Sequence, residues 1–262
     1  MPEDILVATD WSVATVTLNR PRQRNAITFE MWRQLRRIAA ALSRDDAVRA
    51  VVVRGAGDQA FSAGADIKDF RQHRFDSASA AAYAEQFEGA LDAIEMIPKP
   101  VISMIRGACV GGGLELATAT DLRMSSEDAR FGVPIARIGV VAGYREVRRL
   151  VALGGAGNAA RLLLTGEIVD SAEALRMGLV NSVLAPDVLE DTVYALANEV
   201  AGLAPLSHAA HKSVLRTVVT DPGIRNLPPG GSTMPLAVFD SDDFREGTAA
   251  FLEKRRPKFH GR

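Results

Sequence analysis

Two short runs in the first half of the chain are apolar with almost no alternation: residues 50–54 (Ala-Val-Val-Val-Arg) and Val101–Ile105 (Val-Ile-Ser-Met-Ile). A strand with one wet face alternates apolar and polar residues, so runs like these read as strands buried on both faces, as in a parallel sheet covered by helices. Helical patterns flank them. Thr28 is suited to cap a helix running to about Leu42, with Met31, Leu35, Ile38 and Leu42 on one stripe. Residues 78–96 form an Ala-rich helical stretch stopped by Pro98 and Pro100. Before them, residues 5–10 and 13–19 alternate like two strands about a turn at Trp11-Ser12, and Arg20-Pro21 breaks the pattern. Residues 114–120 read as helix and 122–125 as a further strand. From Tyr144 onward the pattern is helical, with breaks at Gly154-Gly155, Gly166, Gly178 and Pro205. Strands alternating with helices, followed by a helical second half, predict an α/β fold with a C-terminal cap or interface. No internal repeat is evident in the sequence. Residues 221–233 (DPGIRNLPPGGST) lack periodicity and read as a loop between helices, with a lid as the functional alternative.

Composition narrows the function. With 262 residues, 47% of them hydrophobic and 24% charged, the chain has enough material for a sizeable core. Lys and Arg (31) nearly balance Asp and Glu (32), which argues against a general nucleic-acid binder. The single cysteine, Cys109, excludes an intrachain disulfide and fits a reducing compartment. The opening residues show neither a signal core nor a transit pattern, and no apolar run is long enough for a membrane span. A cytoplasmic protein is expected, with no membrane partner.

Three segments carry chemistry. Phe61-Ser62-Ala63-Gly64-Ala65-Asp66-Ile67-Lys68 puts small residues after a strand, where a ligand can approach the backbone; the plainer reading is a tight strand-to-helix turn. Gly111-Gly112-Gly113 opens a helix, leaving its first N–H groups bare at the positive end of the dipole, a place suited to an oxygen gaining negative charge. Glu115 follows about one turn in. Phe251 and Lys254, three apart near the C-terminus, would share a helical face able to stack a base and pair a phosphate, unless the run is simply a solvated basic tail.

In this order and spacing the three segments resemble the crotonase (enoyl-CoA hydratase/isomerase) superfamily, and the resemblance runs along nearly the whole chain. Supporting blocks include Leu18-Asn19-Arg20-Pro21, Asn25-Ala26-Ile27, Lys99-Pro100-Val101-Ile102, Phe131-Gly132-Val133-Pro134 and Leu164-Thr165-Gly166. The resemblance implies a spiral of ββα turns over residues 1–197 and a helical region over 198–262 that builds trimers, often paired into hexamers. It implies an acyl-CoA thioester as substrate, its carbonyl held by the N–H groups of Ala63 and Gly112, with Glu115 as acid/base. Arg24, Ala26, Ala65, Asp66 and Ile67 would line the coenzyme A path. Phe251 and Lys254 would meet the nucleotide, and Ile135, Gly139, Val140 and Tyr144 would line the substrate pocket. No metal and no cofactor beyond the coenzyme A moiety is implied.

The sequence departs from the family pattern at two places, the position after the Phe-Gly-x-Pro block and the glycine-rich stretch that usually follows, here Gly139-Val140-Val141-Ala142-Gly143-Tyr144-Arg145-Glu146. Hydratases of the family carry a second glutamate directly after the Phe-Gly-x-Pro block; here Phe131-Gly132-Val133-Pro134 is followed by Ile135, which has no proton to exchange. Several readings follow. Glu115 works alone in an enoyl-CoA hydratase-like lyase; Tyr144 or Glu146 replaces the missing acid; Arg137 binds a substrate carboxylate in a decarboxylase or hydrolase; the chain is an isomerase of the family acting on another acyl-CoA; or it binds acyl-CoA without catalysis. Other site types fit poorly. Ala60 stands where a nucleophile elbow needs glycine, Gly55-Ala56-Gly57 opens no helix, and His208 and His211 lack an acidic or thiol partner for zinc.

Overall fold

A computed structural model of the chain describes residues 3–228 and 230–262. In chain order the elements are β1 (Ile5–Asp10), β2 (Val13–Leu18), α1 (Phe29–Arg44), β3 (Ala50–Gly55), β4 (Ala60–Ser62), α2 (Phe70–His73), α3 (Ser77–Glu95), β5 (Val101–Ile105) and β6 (Ala108–Val110). They continue with α4 (Gly112–Thr118), β7 (Leu122–Ser126), β8 (Arg130–Gly132), α5 (Tyr144–Thr165), β9 (Val169–Asp170), α6 (Ser171–Arg176), β10 (Ser182–Leu184), α7 (Leu189–Ala201), α8 (Pro205–Thr220), α9 (Met234–Ala237) and α10 (Asp242–Leu252).

The strands form two sheets, one in the order β1-β2-β3-β5-β7-β10 and one in the order β4-β6-β8-β9. In the larger sheet the β1–β2 hairpin is antiparallel, closing at Asp10↔Val13 across the Trp11-Ser12 turn, and every other pairing is parallel. Successive segments then repeat one move: β3 to β4, β5 to β6 and β7 to β8 each lay a strand in the large sheet, then one in the small sheet, before the chain turns into a helix. This is the ββα spiral that the resemblance implied. The repeat is absent from the sequence pattern because what recurs is the path of the chain.

The unalternating runs have the expected cause. In β3, Val51 and Val53 face one apolar cluster, with α1 and α3, while Ala50 and Val52 face another, with Leu189, Val193 and Ala197 of α7. β5 divides likewise, Val101 and Ile105 against Ile102 and Met104. α1 starts at Thr28, whose hydroxyl accepts from Met31 N, and buries Met31, Trp32, Leu35, Ala39 and Leu42. α3 starts at Asp76 through a reciprocal capping box with Ser79.

The region from 198 onward is helical, with α7 running through the expected boundary at 197/198. The described part of the 221–233 loop holds neither helix nor strand; Pro229 lies outside the described residues. No described helix is long and apolar enough to cross a membrane.

Candidate active site

The loops after β4 and β6 lie back to back. A Cβ at Gly64 would stand 2.8 Å from Val110 O and 3.2 Å from Gly112 N, and one at Gly113 would stand 2.5 Å from Ser62 O. Only glycine permits that approach, and Gly64 also takes φ +99°. The result is that the amide of Ala65 borders Gly112, since a Cβ built on Gly112 would be 3.3 Å from Ala65 N. Among the described residues neither the Ala65 nor the Gly112 N–H donates to a protein acceptor, whereas the neighbouring Gly111 N–H donates to Gly132 O at 2.8 Å. Gly112 is the first residue of α4, so its amide is one of the donors a helix leaves unpaired.

This corrects the expected donor pair. The Ala63 N–H donates to Arg24 O at 2.9 Å and is therefore occupied. The free donor lies two residues on, at Ala65, because the loop is fixed from behind. Ser62 Oγ donates to Asn25 O at 2.8 Å and accepts from Gly64 N at 3.1 Å. Asn25, fully buried, donates through Nδ2 to Ala60 O at 2.7 Å and Ala56 O at 3.0 Å. Asn25 thus clamps the loop and does not line a ligand path. Asp66 is similarly engaged, accepting from Arg20 Nη1 at 2.9 Å and Lys68 N at 3.1 Å.

The two free amides open on a cavity of about 570 Å³. Its walls include Ala63, Ala65 and Ile67 from one loop; Phe70, Arg74, Tyr83, Phe87 and Glu88 from α2, α3 and their connection; Gly112 and Glu115 from α4; and Ile135, Arg137, Val140, Gly143 and Glu146 on the far side. Glu115 is buried at 6% exposure, and its carboxylate accepts no hydrogen bond from a protein group among the described residues. Burial, then the neighbouring Glu146 charge, push its pKa up to about 8, against the opposing pull of Arg74 and Arg149. Glu146, 4% exposed, is also raised, by burial first and then by Glu88. Tyr83 is pushed to about 12 mainly by burial, and its hydroxyl accepts from Trp32 Nε1 at 2.9 Å. Arg74 stacks over Phe70 and Tyr83, 4.6 and 4.7 Å from the ring centroids, and has no carboxylate partner among the described residues.

Several expected site residues stand elsewhere. Tyr144 is 97% exposed and points away from the cavity; its neighbour Glu146, two residues into the helix, turns inward. Gly139 is exposed at the end of a 3-10 turn (Pro134–Ile138) and is not part of the cavity wall. Phe251 and Lys254 do not share a helical face: α10 ends at Leu252, and Lys254 adopts φ 55° beyond it. Both are exposed and lie outside the cavity wall of this chain. Arg24 borders a separate surface groove with Arg106 and Arg130. Ala26, half-buried, gives its carbonyl to Arg20 Nη1 at 2.6 Å. The described part of the 221–233 loop contributes nothing to the wall. Sequence reasoning missed the whole α2–α3 wall, where no motif marks Arg74, Tyr83, Phe87 or Glu88. Among the described residues no group of three His, Cys, Asp or Glu side chains is placed to hold a metal ion.

Two amides without a protein acceptor thus line one cavity with a buried carboxyl whose pKa is raised, an arrangement with the means to hold an acyl oxygen and to exchange a proton. The comparisons agree with that chemistry. The family model described as Enoyl-CoA hydratase/isomerase matches residues 8–262, and the chain belongs to this family of enzymes. A probable enoyl-CoA hydratase of Bacillus subtilis is 36% identical over 261 residues, 98% of each chain. The short-chain-enoyl-CoA hydratase of Clostridium acetobutylicum is 31% identical over 254 residues, covering 97% of this chain and 96% of its own. The solved structure of an enoyl-CoA hydratase/carnithine racemase from Magnetospirillum magneticum superposes with TM-score 0.95 at 38% identity, covering 100% of this chain and 97% of its own.

Proposed function

We propose that the protein hydrates 2-enoyl-CoA thioesters. The observation that carries this reading is the meeting of the free Ala65 and Gly112 amides with Glu115 in one cavity. Adding water across the double bond of an enoyl thioester drives charge onto the thioester oxygen. Two fixed N–H groups stabilise that enolate more than the ground-state carbonyl, and so lower the barrier. Glu115, protonated at neutral pH by its burial, supplies the proton that Cα takes as the enolate collapses.

The thioester would pass Ile67, an exposed residue of the cavity wall, and the three arginines Arg24, Arg106 and Arg130 of the separate surface groove, which outnumber Asp58 and Asp128 there, would offer positive charge to coenzyme A phosphates. Phe251 and Lys254 would reach the nucleotide of a neighbouring subunit in a homotrimer or homohexamer. The acid–base chemistry needs no metal and no cofactor beyond the coenzyme A that the substrate brings, and the cytoplasm is the compartment that suits it. The test is turnover of crotonyl-CoA and longer 2-enoyl-CoAs by purified protein, followed by loss of enoyl-thioester absorbance. Inertness across all chain lengths while coenzyme A esters still bind rules the reading out.

A second reading is favoured by Arg74, a cation on the cavity wall with no carboxylate partner among the described residues, and by Arg137 on the same wall. Together they would hold an acyl group bearing its own carboxylate, as in decarboxylation or hydrolysis of a malonyl-type thioester. Turnover of such substrates with no turnover of plain enoyl-CoAs selects it.

A further inference from the structure

Hydration moves two protons. Cα gains one, and the attacking water loses one. Glu115 accounts for the first, and Ile135, on the cavity wall, has nothing to offer the second.

One other acidic side chain is turned into the same cavity and buried to the same degree. Glu146 sits in the first turn of α5 at 4% exposure and lines the wall with Glu115. Its orientation is fixed at Gly143, the residue before the helix. A Cβ there would stand 2.6 Å from Glu146 Oε2 and 2.9 Å from Glu88 Oε1, so the two carboxylates converge on one glycine α-carbon. Any larger residue at 143 would drive them apart. Behind the pair, Arg145 Nε lies 3.5 Å from Glu88 Oε2, and Arg149 is held by Asp92 and Glu95 at 2.6 Å each. Arg149 Nη1 is buried with no partner among the described residues. Cations thus back a carboxylate pair whose open side is the cavity.

We propose that Glu146 is the second catalytic carboxylate of this site, taking the proton of the attacking water in place of a side chain at position 135, with Glu88 as its positioning partner. The inference rests on the hydratase reading above. In the step it describes, the water oxygen bonds to Cβ and the water proton passes to Glu146. The π pair moves to the thioester oxygen held by the Ala65 and Gly112 amides. The enolate then takes the Glu115 proton at Cα. Return of one proton from Glu146 to Glu115 through the cavity restores both groups.

The groups facing Glu146 set its response to pH. Burial and then Glu88 from α3 oppose its charge, whereas the Gly143 amide and Arg149 from its own helix favour it; Glu115 from α4, neutral in the catalytic form, adds no charge against it, and Arg145 is paired with Glu88. The catalytic form has Glu146 charged and Glu115 neutral. The rate should therefore fall on the acid side as Glu146 protonates and on the alkaline side as Glu115 ionises near 8.

The experiment compares the full-length wild type with Glu146→Gln, Glu146→Asp and Glu88→Gln on crotonyl-CoA, with kcat, KM and pH profiles. Glu146→Gln should lose about 100-fold or more in kcat with KM little changed, and should lose the acid limb of the profile. Glu146→Asp should recover part of the rate and keep the limb. Glu88→Gln should move the acid limb to lower pH, because the carboxylate that opposes Glu146 ionisation is gone. The proposal is overturned if Glu146→Gln, folded by circular dichroism, keeps kcat within about threefold, or loses kcat only in step with a raised KM. Should Glu146→Gln not fold, an acid limb in Glu88→Gln that stays where the wild type has it overturns the proposal equally. A wild type inert on every enoyl-CoA removes the hydratase reading and this inference together, whereas an active wild type beside an active Glu146→Gln removes only the inference.

Discussion

The two sides of the cavity are built on opposite principles. On one side, the loops after β4 and β6 present main-chain amides, pressed together at glycine contacts and clamped from behind by Asn25 and Ser62. On the other, residues 134–146 and α3 present side chains, and Ile138 and Val141 there are more than half exposed. A backbone donor has the same chemistry whatever residue carries it, provided nothing obstructs it, so the first side constrains size. The second side must move protons, and a carboxylate can do that from any nearby position that points inward. Ile135 and Glu146 illustrate the difference: one position carries no acid while another, eleven residues on, carries one into the same space.

The largest effect should come from Glu115→Gln, which removes the proton source without changing shape; kcat on crotonyl-CoA should fall by about 10²–10⁴. Gly112→Val attacks the other side. Its branched side chain would start 3.2 Å from Trp32 Cζ2 and 3.3 Å from Ala65 N, crowding the oxygen's position. Loss of that stabilisation should cost on the order of 10²–10³ in kcat, with circular dichroism unchanged. If Gly112→Val turns over normally, the amides are not the acyl site.

A smaller effect concerns stability, and it takes the opposite sign from activity. Glu115 holds its proton up to about 8 in the folded chain against 4.5 ordinarily, so the unfolded state binds fewer protons between those values and stability falls as pH rises through that window. Glu115→Gln lacks the titration. It should lose less stability than the wild type as pH rises through the window, measured by urea denaturation at a series of pH values. The smallest effect should be at Tyr144→Ala, at a fully exposed side chain, with activity and stability changed by no more than about 0.5 kcal/mol. A large loss there would mean that the far side reaches solvent-facing residues, as it would if a neighbouring subunit covered them.

The sequence made the loops of the amide side legible, though not the strands that carry them nor both donors. Buried strands announced themselves by lost alternation, and glycines marked the places where segments touch. The donor was misplaced by two residues, Ala63 for Ala65, because a free N–H is defined by where its neighbours' hydrogen bonds go, and Arg24 O, which occupies the Ala63 amide, is distant in sequence. The short strands β4, β6 and β8, with three residues each, were hidden for a related reason: pairing with distant strands defines them. The far side was barely legible. Tyr144 and Glu146 could not be told apart until α5 set their directions; Tyr83 and Glu88 belong to an Ala-rich stretch whose apolar pattern is weak, and Arg74 to the short connection before it.

Because Ala65 and Gly112 belong to consecutive coils of the spiral, an oxygen seated between their amides acts as a stitch from one coil to the next. Neither coil can peel away while that stitch holds. A bound acyl thioester should therefore shield two stretches far apart in sequence, around 63–67 and 110–116, from proteolysis and amide exchange at once, and release of the ligand should unprotect both together.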